Sequence, residues 1–267
     1  GYIGLEMAEA FHERGLQVTI IEMLDHILGT MDDEICQEVE AELDHHGVKL
    51  YKSTTVKSFE GSNGKVSKVV TDSASIDTDM VLLSTGITPN TKLAEKAGIK
   101  LGVAGAIQAD GSMKTSIDGI FAAGDCADVF HRITGKKTYI PLGTTANKQG
   151  RVAGEVIGGR PSVFGGVVGT AVSKIFRLAV ARTGLTQREA EKAAGEARRQ
   201  GKLLIAIKPF AGGRIRPKEA LRYVYKEMEA DACMMGVASV KEAEEDFKAA
   251  REILADKGEE EEVNGGQ

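Results

Sequence analysis

The chain has 267 residues, 42% of them hydrophobic and 5% aromatic, with no tryptophan, which allows one large domain or two ordinary ones. No apolar run reaches membrane-spanning length, and a net charge of −5 gives no support to a nucleic-acid surface. Three scattered cysteines, Cys36, Cys126 and Cys233, form no CxxC pair or zinc spacing, a usage that fits a reducing cytoplasm.

Residues 3–14 put Ile3, Leu5, Ala8 and Phe11 near one helical face, with Gly15 placed for a left-handed cap. Val18–Glu22 reads as a buried parallel strand ending in a carboxylate. A helix is predicted at 32–46, with Ile35, Val39 and Leu43 on one stripe, closed by Gly47 before a strand at 48–51. Val56–Phe59 and Val66–Val70 flank Gly61-Ser62-Asn63-Gly64, a hairpin turn. Met80-Val81-Leu82-Leu83 reads as a further buried strand, stopped by Gly86 and Pro89. A strand at Ile120–Ala123 is predicted to run into Gly124-Asp125-Cys126-Ala127, and a helix at 144–158 carries Asn147, Lys148, Gln149 and Arg151. Beyond it come a charged helix at 187–200, a strand at Leu203–Ile207, a helix at 217–228, a strand at Ala232–Gly236 and a helix at 239–254. The tail from Gly258, with Glu259–Glu262, is expected to be disordered. Alternating strands and helices predict an α/β fold, doubly wound and Rossmann-like over its first part.

The opening residues carry the first chemistry. A dinucleotide fingerprint is Gly-x-Gly-x-x-Gly after a strand, with an acidic residue about 20 positions on. Gly1 and Gly4 fit its second and third glycines and Glu22 its acid. The first glycine and its strand would precede Gly1, so the chain reads as a fragment. A glycine at position 1 lets a pyrophosphate approach the backbone, Gly4 lets the helix pack closely, and the helix N-terminus offers free N–H groups. Glu22 would accept from ribose hydroxyls and repel a 2′-phosphate, favouring NADH over NADPH. A tight turn in any α/β protein is the alternative.

Thr115-Ser116-Ile117-Asp118-Gly119-Ile120-Phe121-Ala122-Ala123-Gly124-Asp125 resembles the flavin ribityl-binding signature of two-dinucleotide-domain flavoproteins, although an Asp helix cap at a glycine turn is equally sound physically. Leu83-Ser84-Thr85-Gly86-Ile87-Thr88-Pro89-Asn90 is similar to the segment joining the NAD domain to the FAD domain in pyridine nucleotide-disulfide oxidoreductases. Phe130–Gly135 and Ile140–Arg151 resemble the coenzyme A-disulfide reductase, NADH oxidase and persulfide reductase branch. Val168–Val172 and Val180–Leu185 resemble the start of its dimerisation domain.

That resemblance, over about residues 1–195, implies FAD and NAD(H) as cofactors. Hydride would pass from NADH through FAD to a cysteine that attacks a small disulfide, persulfide or related acceptor. It implies cofactor contacts at Gly1, Tyr2, Ile3, Gly4, Glu6, Glu22, Gly86, Gly124, Asp125 and Ala146, with Glu6 near the nicotinamide or simply a favourable acid in a first helical turn. Asn147 and Lys148 would line the flavin or substrate side, or a solvated face. The family's redox cysteine and first FAD glycine motif lie in an N-terminal half not found in this sequence, so no catalytic residue and no metal ligand is assigned. An inactive nucleotide-binding fragment or fusion remnant is the alternative function. Residues 196–254 resemble the end of an aldo/keto reductase barrel, with Asp246 and Ala238 standing where that family has Asn and a basic residue.

The implied organisation is an NAD(H)-binding domain at 1–89, the second half of an FAD domain at 90–160, the start of a dimerisation domain at 161–195, an α/β extension at 196–257 and the tail at 258–267. Neither nucleic acid nor membrane is an expected partner. A homodimer stays open, because family dimers use a C-terminal domain that is mostly replaced here.

Overall fold

The computed structural model describes the backbone of residues 1–264 and the side chains of residues 1–255. It divides into two compact units, Gly1–Thr186 and a second beginning at Gln187.

The first unit opens with helix α1 (Tyr2–Glu13), strand β1 (Thr19–Ile21), helix α2 (Asp33–His45) and strand β2 (Lys49–Tyr51). β1 and β2 pair in parallel from Thr19 opposite Lys49 to Ile21 opposite Tyr51, as two strands joined by a crossover helix should. Gly15 and Gly47 end the two helices in the left-handed region, at φ +79° and +68°. Leu5 on α1 and Cys36, Val39 and Leu43 on α2 meet Ile27, Leu28 and Val48 in one core cluster.

Strands β3 (Val56–Ser62), β4 (Lys65–Thr71) and β5 (Ser75–Asp77) make an antiparallel meander. Asn63 and Gly64, at φ +52° and +74°, form its first turn, the conformation that matches strand twist. Helix α3 (Lys92–Lys96), hairpin β6 (Val129–His131) with β7 (Lys136–Thr138), helix α4 (Gly143–Ile157) and hairpin β8 (Ala171–Ile175) with β9 (Leu178–Arg182) complete the unit.

The β8–β9 hairpin docks on α1 and α2. Ile175, Phe176 and Val180 are buried in the same cluster as Leu5 and Leu43. Glu9 accepts from the Phe176 amide (2.7 Å) and Lys174 Nζ (2.6 Å), and Glu42 accepts from the Arg177 amide (3.0 Å). Phe176 stacks on His46 at 3.9 Å, and the Arg182 guanidinium donates to the Thr30 carbonyl.

Several expected strands differ, among them three in the first unit. β1 is shorter than Val18–Glu22, with Thr19 exposed and Ile20 and Ile21 half-buried. Its only sheet neighbour among the described residues is β2, so it lacks the two-sided cover of an interior strand. Residues 80–83 form no strand, and Met80, Leu82 and Leu83 are 52%, 46% and 67% exposed. No described strand runs beside them, and a parallel strand is stable only between neighbours. Ile120–Ala123 reduces to an isolated bridge between Lys114 and Phe121, because turns flank both segments and no ladder extends from it.

In the second unit, helix α5 (Gln187–Arg199) precedes strand β10 (Ile205–Ile207), helix α6 (Pro217–Arg222), a π-helical turn (Tyr223–Glu227), strand β11 (Ala232–Met234) and helix α7 (Val240–Asn264). β10 and β11 pair in parallel. Leu221, Val224 and Tyr225 pack on Ala250 and Ile253 of α7. Arg198 binds the Glu229 carboxylate and the carbonyls of Met228 and Glu229. Residues 258–264 of the acidic tail, expected to be disordered, instead continue the backbone of α7; their side chains and residues 265–267 lie outside the described residues.

Candidate functional site

The expected cofactor residues of the first unit form two surfaces. One is the start of α1. Gly1 is its N-cap and no side chain caps it; the Leu5 amide bonds the Gly1 carbonyl at 3.2 Å. The amides of Tyr2, Ile3 and Gly4 therefore have no helical acceptor and point out of the first turn. Gly1, Tyr2 and Ile3 are exposed. A Cβ on Gly4 would come within 3.3 Å of Ser84 Oγ, so the absence of a side chain lets α1 lie against the 83–86 segment. Gly86 is exposed in that segment, at φ +96°.

Glu22 is half-exposed just past β1. Its amide and carbonyl join Tyr51 and Thr54, and its Oε1 accepts from the Leu24 amide at 3.1 Å. Oε2 has no partner among the described residues. Glu6 Oε1 accepts from Ser173 Oγ at 3.0 Å, tying α1 to β8.

The second surface is the Gly124 turn against the start of α4. Gly124 stands at φ +81°, its amide donates to Gln149 Oε1 at 2.8 Å, and a Cβ there would meet that of Ala146 at 3.5 Å. Asp125 is exposed and its carboxylate has no partner among the described residues. Tyr139 Oη donates to the Asp125 carbonyl at 2.9 Å. Burial, then the nearby Asp125 and Cys126, push that phenol up, keeping it a donor.

α4 also begins without a side-chain cap. The Ala146 amide bonds the Leu142 carbonyl, which leaves the amides of residues 143–145 free at the positive end of a 15-residue helix. A cavity of about 250 Å³ adjoins this end, lined among others by Arg132, Leu142, Thr144, Thr145, Lys148 and Phe164. Asn147 is exposed on the same helix.

The Gly124 turn and Ala146 are thus brought together, as are Gly4 and Ser84. Gln149, Tyr139, Asp128 and Lys137, which hold the second surface, were not among the expected site residues. Only Gln149 had a usable signal, lying three residues after Ala146 on one helical face.

No cysteine sits in an activating environment. Burial, then Asp33, Glu40 and Asp32, push the Cys36 thiol up, and burial does the same to Cys233. Cys126 is half-buried with its thiol on the Ala123 carbonyl at 3.4 Å. Among the described residues no helix is long and apolar enough to cross a membrane.

Residues 1–150 match the family model described as pyridine nucleotide-disulphide oxidoreductase. A CoA-dependent NAD(P)H sulfur oxidoreductase of Pyrococcus furiosus is 45% identical over 194 residues, which cover 72% of this chain and 43% of that protein. The structure of an NAD-dependent persulfide reductase from A. fulgidus is 43% identical with a TM-score of 0.69, over 72% of this chain and 36% of that one. That of a FAD-dependent pyridine nucleotide-disulphide oxidoreductase from Desulfovibrio vulgaris is 38% identical with the same TM-score, over 72% and 49%. The chain spans less than half the length of each of these relatives, and the α/β fold is shared with both structures. With more than half of its residues inside the family match, the chain belongs to the pyridine nucleotide-disulphide oxidoreductase family.

Proposed function

We propose that this chain supplies the NAD(H)-binding surface and part of the FAD-binding surface of a flavoprotein oxidoreductase that passes hydride from NADH to a small disulfide, persulfide or related sulfur acceptor. The observation that carries the reading is the Gly124 turn, locked on α4 by Gln149 and Ala146, with the Asp125 carboxylate and three free helix amides left open beside it. That donor and acceptor set suits a ligand with hydroxyls and a pyrophosphate. FAD bound there would supply the two-electron chemistry.

The residues take defined parts. Asp125 accepts from a ribityl hydroxyl, and the start of α4, with Ala146, turns its positive end to the flavin. The free amides of Tyr2, Ile3 and Gly4 take the NADH pyrophosphate, which Gly1 lets close to the backbone. Glu22 Oε2 receives a ribose hydroxyl and, being anionic, disfavours a 2′-phosphate. Gly86 gives the joining segment its turn, and Glu6 holds α1 toward β8. The domain limits at 89, 160 and 195 and a cytoplasmic setting belong to the same reading, which leaves a homodimer open.

A second reading, nucleotide binding without turnover by this chain, is favoured by the thiols. Burial, then acidic neighbours, push the Cys36 thiol up, and burial pushes up that of Cys233, which opposes the thiolate a nucleophile needs.

Reconstitution of the full chain with FAD, followed by flavin absorbance and NADH titration, tests both. Stoichiometric flavin with disulfide-dependent NADH oxidation supports turnover; flavin without oxidation supports binding alone. A colourless chain that binds NADH removes the FAD assignment. Glu22→Ala should weaken NADH about tenfold, the loss of one charged hydrogen bond, and unchanged affinity would refute the role of Glu22.

A further inference from the structure

We propose that the buried Asp128–Lys137 pair is a positioning strut that sets the conformation of the Gly124–Asp125 turn. Its consequence for flavin rests on the reading of that turn given above.

Asp128 is 1% exposed, four residues past Gly124. Its Oδ1 accepts from Lys137 Nζ at 2.8 Å and from the Ala109 amide at 3.2 Å, and Lys137 Nζ also donates to the Ala109 carbonyl. One ammonium and one carboxylate therefore grip both backbone groups of Ala109. The backbone continues the grip, with the Ile107 amide on the Cys126 carbonyl (2.7 Å) and the Asp128 amide on the Ile107 carbonyl (2.9 Å). Segment 107–109 and the exit of the turn are thus held together by hydrogen bonds.

Lys137 lies on β7, and Tyr139 follows just past its end. One edge so delivers Lys137 to the exit of the turn and Tyr139 to the Asp125 carbonyl. Gly102 shows how closely the carboxylate is housed: a Cβ there would stand 2.3 Å from Asp128 Oδ2.

Stability alone does not account for the pair. Burying a carboxylate is costly, apolar residues of like volume often serve as well, and Asp128 Oδ2 has no hydrogen-bond partner among the described residues. An ion pair does specify register, and a left-handed turn that must present an exposed carboxylate needs a fixed register.

The test is residue-resolved amide hydrogen exchange on the full chain carrying Lys137→Met, with Lys137→Arg as rescue. Exchange at Gly124, Ala127 and Asp128 should rise about tenfold or more, while the β3–β4 hairpin stays within about twofold and Lys137→Arg returns most of the protection. Should Lys137→Met fail to fold, Asp128→Asn, which keeps an acceptor for Ala109 and drops the charge, carries the same expectations. Unchanged exchange at the turn, or an equal rise throughout the first unit, overturns the strut.

FAD titration of the same proteins separates the two readings. Weaker FAD binding with a changed visible dichroism of the bound flavin supports both. No FAD on the unsubstituted chain, with the local exchange effect present, overturns the flavin reading and keeps the strut. Unaltered FAD binding with unaltered exchange does the opposite.

Discussion

Glu9→Ala should undock the β8–β9 hairpin from α1, and its cost can be worked from two contacts. Phe176 sits in the left-handed region at φ +51°, a conformation that costs a non-glycine residue about 1 kcal/mol. Its amide is held there by Glu9 Oε2 at 2.7 Å, and a hydrogen bond to a charged group contributes about 1.5–3 kcal/mol. The partner Lys174 is 68% exposed, so solvent screens its pairing and it adds little. Alanine should therefore cost about 2 kcal/mol, or roughly 1 M in urea midpoint at a slope of about 2 kcal/mol/M. Glu9→Gln, which keeps an acceptor, should cost about half of that. The pH dependence has a fixed sign. Burial raises the Glu9 pKa, but the bonds from Lys174 and Phe176 and the charges of Lys174 and His46 outweigh it and hold the carboxyl below its ordinary value. A depressed folded pKa stabilises fully above the unfolded value near 4.5 and is lost as pH falls through the lower folded one. The wild-type advantage over Glu9→Ala should be complete at neutral pH and fade as the solution is acidified below that range. Urea titrations followed by far-UV dichroism at neutral and acid pH measure it. A midpoint shift under about 0.2 M at neutral pH, or an advantage that grows on acidification, refutes the reasoning.

Two further outcomes follow from the same geometry. Gly124→Ala meets no clash, since its new Cβ stands 3.5 Å from Ala146, but must adopt φ +81°; it should cost about 1 kcal/mol and weaken FAD, and a neutral result by urea titration and flavin fluorescence would show that the turn relaxes freely. Cys36 is 1% exposed with its thiol pushed up, so timed alkylation with mass spectrometry should label Cys126 well before Cys36 in the native chain; equal rates without denaturant would contradict the buried core of α2.

Where a feature depends on a few adjacent residues, the sequence is a good guide. α1 and α2 follow from apolar spacing, and the Asn63-Gly64 turn from two residues that tolerate positive φ. Apolar content misleads where burial needs a partner: Met80–Leu83 has strand composition but no strand beside it, and it stays exposed. The supports of the site were illegible for a related reason. Glu6 reads as an acid at a helix start, yet it meets Ser173, 167 residues away; Asp128 carries no motif, and its partner is a lysine on the next hairpin. The groups proposed to face a ligand sit on local motifs, because short turns and helix ends create free amides by themselves. What holds those motifs in register is a set of charged side chains whose partners only the fold selects. A substitution in the strut or under the hairpin should therefore disturb cofactor binding without touching a residue that any motif would flag.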